Sequence, residues 1–381
     1  MSVERTSSTS STAVFTLQNL KQEKLIIGAA FFAIVAYLLE HAMLSGGRGV
    51  ATLATFTLIG VIICAAIRVA HHAEVLAEKV GDPYGTMILT TAAVLVEVII
   101  LAVMMMHTPS PTLARDTIYA AIMLDMNMIM GLAALLGGLK HGEQVYNDNS
   151  GRSYTIMIMA AVAISMVLPN YVPGDQWKIY SAFTIGSMAL LYALFLRMQT
   201  KEHSYFFSYN YDRQKKRQAK VELTEVAEEE ESTVFSVVML VAGIVLTGLL
   251  AEVMSKTMNV GLEGSSIPPI FAGIVVALIS ASPEILTALR SALDGKMQPV
   301  INVAFGATLA TVILTVPVIE VIALIYGHDV NMALTPVQLT MVGVTLVISA
   351  LNISDGESNA IEGGVHFVLF LAFIMLSLMG L

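Results

Sequence analysis

The segment "FAGIVVALISASPEILTALRSAL", Phe271 to Leu293, places Pro283 and Glu284 in the middle of otherwise apolar or small residues. A second acid, Glu97, stands in "GTMILTTAAVLVEVIILAVMM". Each lies too far from the ends of its run for the carboxylate to reach water along its own helix. An acid at such depth in a membrane helix is costly, and is read as a functional group that binds a cation or a proton. Pro283 cannot donate to the carbonyl of Ile279, and its ring presses against that carbonyl, so the helix is expected to bend or break there and free carbonyls as ligands. Ser280, one turn before Glu284, and Ser282 add hydroxyls; Thr90, two turns before Glu97, offers one in the first half. Hard cations such as Ca²⁺ take oxygen ligands of these kinds.

The run that follows each acid adds candidates. In "RDTIYAAIMLDMNMIMGLAALLGG", Asp116 and Asn127 are three turns apart and share a face, while Asp125 points almost oppositely on a straight helix. All three cannot face one site unless the helix is broken. In "PVINVAFGATLATVILTVPVIE", Thr308, Thr311 and Thr315 form a hydroxyl stripe, and Gly306 permits close approach. The candidate cation ligands are therefore Glu97, Glu284, Ser280, Ser282, Thr90, Asn127, Asp125, Thr308 and Thr311. Each has a structural competitor: threonine bonds back to its own helix, and Asn127, with Gly131 beyond it, can join helices by a hydrogen bond. Glu40, Glu252, Glu320 and His366 are read as interfacial, His71 and His72 as a solvated helix end, and the Met-rich runs as lipid-facing packing.

These residues have to be held by membrane helices. Of 381 residues, 56% are hydrophobic and 13% charged. Mostly apolar runs of bilayer-spanning length recur along the chain, predicting eleven spans near 25–44, 49–70, 84–106, 116–139, 153–169, 178–199, 234–255, 268–292, 299–326, 332–351 and 359–380. The fold class is an all-α polytopic membrane protein. Residues 1–24 read as a disordered Ser/Thr-rich tail without signal-peptide features, and 25–48 as an extra first helix. Residues 49–200 and 234–381 form two five-span repeats around a charged loop, 201–233. Five is odd, so the second repeat enters the membrane inverted relative to the first. A buried acid in the second span of each half is the pattern of an inverted-repeat transporter with its site near the midplane. The single cysteine, Cys64, has no partner and says nothing of compartment.

Lys and Arg set the orientation. Of the 20, an inside N-terminus leaves only Arg48, Arg115, Lys178 and Lys256 outside, against 16 on the cytoplasmic side. The expectation is a multi-pass inner-membrane protein with a cytoplasmic N-terminus and an external C-terminus. The net charge of −9 and the absence of a basic stripe argue against nucleic acid. No phosphate-binding loop, zinc-protease, nucleophile-elbow or potassium-filter motif is present, so neither an enzyme nor a bound cofactor is expected. The partners are inorganic cations, protons and the lipid bilayer, with room for a homo-oligomer.

The segments "HHAEVLAEKVGDPYGTMILTTAAVLVEV", "ARDTIYAAIML", "LLGGLKHGEQVYN", "ALISASPEILTALRSAL" and "NVAFGATLATVILTVPV" resemble the calcium/cation antiporter superfamily, and within it the bacterial calcium/proton antiporter group, ChaA-like and including sodium-potassium/proton antiporters. "SASPEILTAL" is similar to the family's Ser-x-Pro-Glu signature, and "EVAEEEE" stands where the family has an acidic segment between its halves. The resemblance implies a ten-helix inverted-repeat core plus an extra helix. It also implies exchange of cytoplasmic cations for external protons, with the essential carboxylates on Glu97 and Glu284. The sequence departs from the group at Asp82, where Glu is usual, and at Asp125, where an apolar residue is expected. The reading is a secondary antiporter for Ca²⁺, or for Na⁺ or K⁺; the alternative is a passive cation channel lined by the same acids.

Overall fold

A computed structural model describes residues 23–81, 84–107, 110–200, 232–327 and 330–381. Nearly all of the N-terminal tail, Asp82 and most of the charged loop lie outside these residues. The described residues form eleven helices: α1 Lys24–Ser45, α2 Arg48–Val80, α3 Tyr84–His107, α4 Leu113–His141, α5 Asp148–Tyr171, α6 Trp177–Thr200, α7 Thr233–Leu262, α8 Ile270–Leu293, α9 Met297–Tyr326, α10 Pro336–Asn352 and α11 Ala360–Leu378. Ten are long and apolar enough to cross a membrane; α10, with 17 residues, is shorter. Three helices contain a π-helical turn: α4 at Leu124–Ile129, α5 at Ala163–Val167 and α9 at Thr311–Thr315.

The two ends of the bundle sort as alternation through eleven spans requires. At one end, Gln144–Val145 and Glu357–Ser358 pair as a short antiparallel ribbon, joining the α4–α5 and α10–α11 connections. The α8–α9 connection joins them, since Lys140 and His141 both bond the carbonyl of Leu293 at 2.8 Å. At the other end, the backbone N–H of Asn331 donates to Pro111 and that of Leu334 to Met166, tying the α9–α10 connection to the α3–α4 connection and to the last turns of α5.

The first helices of the halves, α2 and α7, lie antiparallel along each other. Val69 lies against Gly243, the hydroxyls of Thr55 and Thr257 meet at 3.0 Å, and Thr52 lies against Gly261, a constant register over the length of the pair. The extra helix α1 rests on both: Ile26 packs with Phe235 and Met239, and Lys256 bridges Glu40 at 2.9 Å and Glu252 at 2.8 Å. Those two acids are thus ion-paired rather than simply reaching for the interface. His72, expected at a solvated helix end, is buried against Phe235 and lies 3.2 Å from Glu23, which also binds Arg68. Burial alone would raise the Glu23 carboxyl, but the Arg68 hydrogen bonds and charge, with His72, hold it below its ordinary value. Of the Met-rich runs, Met104, Met126 and Met130 pack inside the bundle, and Met106 faces outward. Methionine's unbranched chain fills gaps between helices as readily as it meets lipid.

Helices α4 and α11 approach closely through glycine. A methyl group on Gly363 would sit 2.2 Å from the backbone nitrogen of Leu135, and one on Gly138 would sit 2.4 Å from that of Ala360. The obstruction is backbone and cannot swing aside. Gly363→Ala is expected to cost about 1–3 kcal/mol or more, lowering the thermal unfolding midpoint in detergent. Gly364→Ala, where nothing lies within 4 Å, should leave it unchanged.

Candidate cation site

The second and third helices of the two halves interlock crosswise. Helix α8 runs parallel to α4, from the contact of Gly273 with the Thr117 backbone at one end to Leu293 and His141 at the other. Helix α3 lies against α9 in the same relation. Each acid on a second helix therefore faces the π-helical turn of the opposite half's third helix. Glu97 on α3 is buried, and its Oε2 accepts from Thr311 at 2.8 Å and from Thr315 at 3.4 Å. Glu284 on α8 is half-buried, and α8 packs against the π turn of α4 that carries Asp125 as its second residue. Asp125 is buried, accepts from Thr308 of α9 at 3.3 Å, and is close enough to both glutamates to feel their charges.

The face arithmetic along α4 holds, but the face turned toward the acids is Asp125's. Asp116 and Asn127 share the side that meets α10: Gln338 donates to Asp116 at 3.1 Å, and Asn127 donates to Thr345 at 2.8 Å. Asn127 also accepts from His366 of α11 at 3.0 Å, so its amide joins α4, α10 and α11 and stands apart from the three acids. Asp116 is held by Arg115 at 2.8 Å and Thr112 at 3.0 Å. Local turns explain how Asp125 fits: the N–H of Met130 reaches back five residues to the carbonyl of Asp125, so the helix widens where the acid enters the site.

Pro283 corrects the expectation of a broken helix. Helix α8 continues through it from Ile270 to Leu293. The carbonyl of Ile279, which the proline leaves without its helical donor, accepts from the hydroxyl of Ser282 at 2.7 Å, and Ser280 bonds back to Ala277 at 3.0 Å. Both serines keep lone pairs but spend their protons locally. Thr308 behaves both ways, donating to Ala304 at 2.9 Å as well as facing Asp125. Thr90 is half-buried on α3, two turns before Glu97. Gly306 meets Tyr154 only at ordinary contact distance, so the close approaches belong to Gly273, Gly138 and Gly363 instead. Glu320 and His366, expected at the interface, are both buried, because neighbouring helices cover the ends of their spans.

Glu97, Asp125 and Glu284 have no Lys, Arg or His partner among the described residues. Oε1 of Glu97 is sealed from solvent without a hydrogen bond there. Three uncompensated carboxylates in a protein interior are expensive, and either protons or a cation would neutralise them. Among the described residues no three acid, histidine or cysteine groups cluster tightly enough to hold a metal unaided. A cation would therefore draw on the threonine and serine oxygens as well.

The sodium/calcium exchanger protein family model matches residues 49–201 and again 235–379. The chain belongs to that family. It is 31% identical over 329 residues to a protein of Escherichia coli (strain K12) called "Sodium-potassium/proton antiporter ChaA", covering 84% of this chain and 86% of that one. A "Ca(2+)/H(+) antiporter" of Aphanothece halophytica is 26% identical, over 82% of this chain and 87% of its own length. Among solved structures, "Structure of native YfkE" superposes with a TM-score of 0.68 at 16% identity, covering 89% of this chain and 99% of that one; it shares the fold. The family thus accounts for the eleven-helix, two-half architecture, and nothing among these relatives points to a channel or an enzyme.

Proposed function

We propose that this exchanger-family protein is a secondary antiporter that moves Ca²⁺ out of the cytoplasm in exchange for external protons. One observation carries the reading: three carboxylates, Glu97, Asp125 and Glu284, lie where α3, α4, α8 and α9 pack at the crossing of the halves, with threonine hydroxyls on two of them and no Lys, Arg or His partner among the described residues. The same oxygens can hold either a cation or protons, but not both at full strength, which is the coupling an antiporter needs. A third acid beside the two glutamates favours a divalent cargo, since Ca²⁺ gains from each added carboxylate. Thr308, Thr311, Thr90, Ser280 and Ser282 are the neutral oxygens available to complete the shell. The 31% identity to a sodium-potassium/proton antiporter supports Na⁺ or K⁺ as the alternative cargo.

The charge bias of the connections supports a cytoplasmic N-terminus, with the ribbon of Gln144–Val145 and Glu357–Ser358 on the cytoplasmic face. Everted vesicles with an acid interior test cargo and direction together. Uptake of Ca²⁺ that collapses with the pH gradient is the expected result, and a flux of Na⁺ or K⁺ under the same gradient would reassign the cargo. Cation movement indifferent to the pH gradient would refute antiport.

A further inference from the structure

Glu320 is an acid that the cation site does not use. It lies on α9, five residues and about 7.5 Å beyond Thr315 toward the end of the helix at Tyr326. It is 5% exposed, its Oε2 is sealed and accepts no hydrogen bond among the described residues, and no Lys, Arg or His there pairs with it. An acid in such surroundings is stable when it carries a proton and strained when it does not.

Its surroundings give that proton somewhere to go. Helix α6 packs along this part of α9 and along the π turn Thr311–Thr315. On α6, the Tyr180 hydroxyl donates to the carbonyl of Ile164 at 2.6 Å and lies close enough to Glu320 to feel its charge. One turn deeper on the same face, Thr184 is fully buried, and its hydroxyl has no partner among the described residues. Deeper again, Thr315 reaches Glu97 at 3.4 Å. Buried polar atoms without partners are uncommon in folded proteins, and two of them, on Glu320 and Thr184, fall on one seam that ends at the cation site. A hydroxyl both accepts and donates, so it can pass a proton on. Among the described residues, the neighbouring helices present Tyr180 on α6 and Glu97 on α3 to this stretch of α9; neither can hold Glu320 as an anion by opposing its charge.

We propose that Glu320 is a proton-binding site of the exchanger, loaded from the face opposite the Gln144–Ser358 ribbon and discharging along the α6–α9 seam to Glu97. A proton from external water forms the O–H of Glu320. Thr184 and Thr315 each accept one proton and release one, Glu97 becomes the carboxylic acid, and Glu320 returns to the carboxylate for reloading. The inference rests on the antiport reading given above.

The test compares two modes in the same reconstituted vesicles, using radiolabelled Ca²⁺, or radiolabelled Na⁺ if the wild type carries only that ion. In the first mode external protons drive the flux; in the second, the ion exchanges with itself at equal pH on both sides, and no net proton moves. Glu320→Gln should slow the proton-driven mode about tenfold or more and leave self-exchange within about twofold of wild type. Equal slowing of both modes would show a structural role and overturn the proposal, as would no slowing at all. Should Glu320→Gln fail to insert, Glu320→Leu, which removes the acid and suits the apolar surroundings, is read by the same criteria. A wild type that shows self-exchange without proton-driven flux would instead refute the antiport reading itself.

Discussion

Glu97→Gln and Glu284→Gln are each expected to reduce proton-driven cation flux by at least about a hundredfold, equivalent to about 2.7 kcal/mol, while the protein still inserts and elutes as wild type. The amide matches the carboxyl in size, and at Glu97 its oxygen can still accept from Thr311, so packing is largely kept. What the change removes is the negative charge and the exchangeable proton. Neither is replaced from nearby: among the described residues Glu97 is the acid that accepts from Thr311 and Thr315, and Asp125, in the same half as Glu97, accepts from Thr308 instead. Flux measured in vesicles at matched protein content checks this. Sustained pH-driven transport in either variant would move the site elsewhere, and loss of insertion would be seen separately in the elution profile.

The second large effect is on pH. If a cation and protons compete for the same carboxylates, each proton removed restores a negative ligand, so apparent cation affinity must rise as pH rises on the binding side. Displacing one proton per cation gives a tenfold change in apparent affinity per pH unit where the sites are mostly protonated, and displacing two gives about a hundredfold. Asp125→Asn removes one of the three acids while preserving the contact with Thr308. It should weaken affinity by roughly an order of magnitude, in line with the loss of one charged ligand, and make the pH dependence shallower. Concentration dependence of flux at several pH values, for wild type and Asp125→Asn, decides it. A wild-type affinity that does not change with pH would sink the competition mechanism even with both glutamates essential.

Much of this protein was determined locally, because a bilayer imposes a one-dimensional rule. Each span has to be apolar over about 20 residues, so the eleven helices, the odd number in each half and the resulting inversion could be read from composition alone. The depth of Glu97 and Glu284 was equally legible, since an acid inside such a run has no interface to reach. Helical periodicity also placed Asp116 and Asn127 on one face and Asp125 on the other.

Periodicity alone, however, could not say which face meets the site. That depends on the partner helix, and α4 turns Asn127 toward Thr345 and His366 while offering Asp125 to α8 and α9. The π turns at Leu124–Ile129 and Thr311–Thr315 were likewise invisible, because such a turn is set by packing between helices and no residue type marks it. Pro283 was misleading for a related reason: the neighbouring Ser282 satisfies the carbonyl it leaves, and α8 stays continuous. Burial of Glu320, His366 and His72 was hidden too. Distance along a helix measures depth in the membrane, but only the tertiary structure decides whether a side chain near a span's end meets water, lipid or another helix.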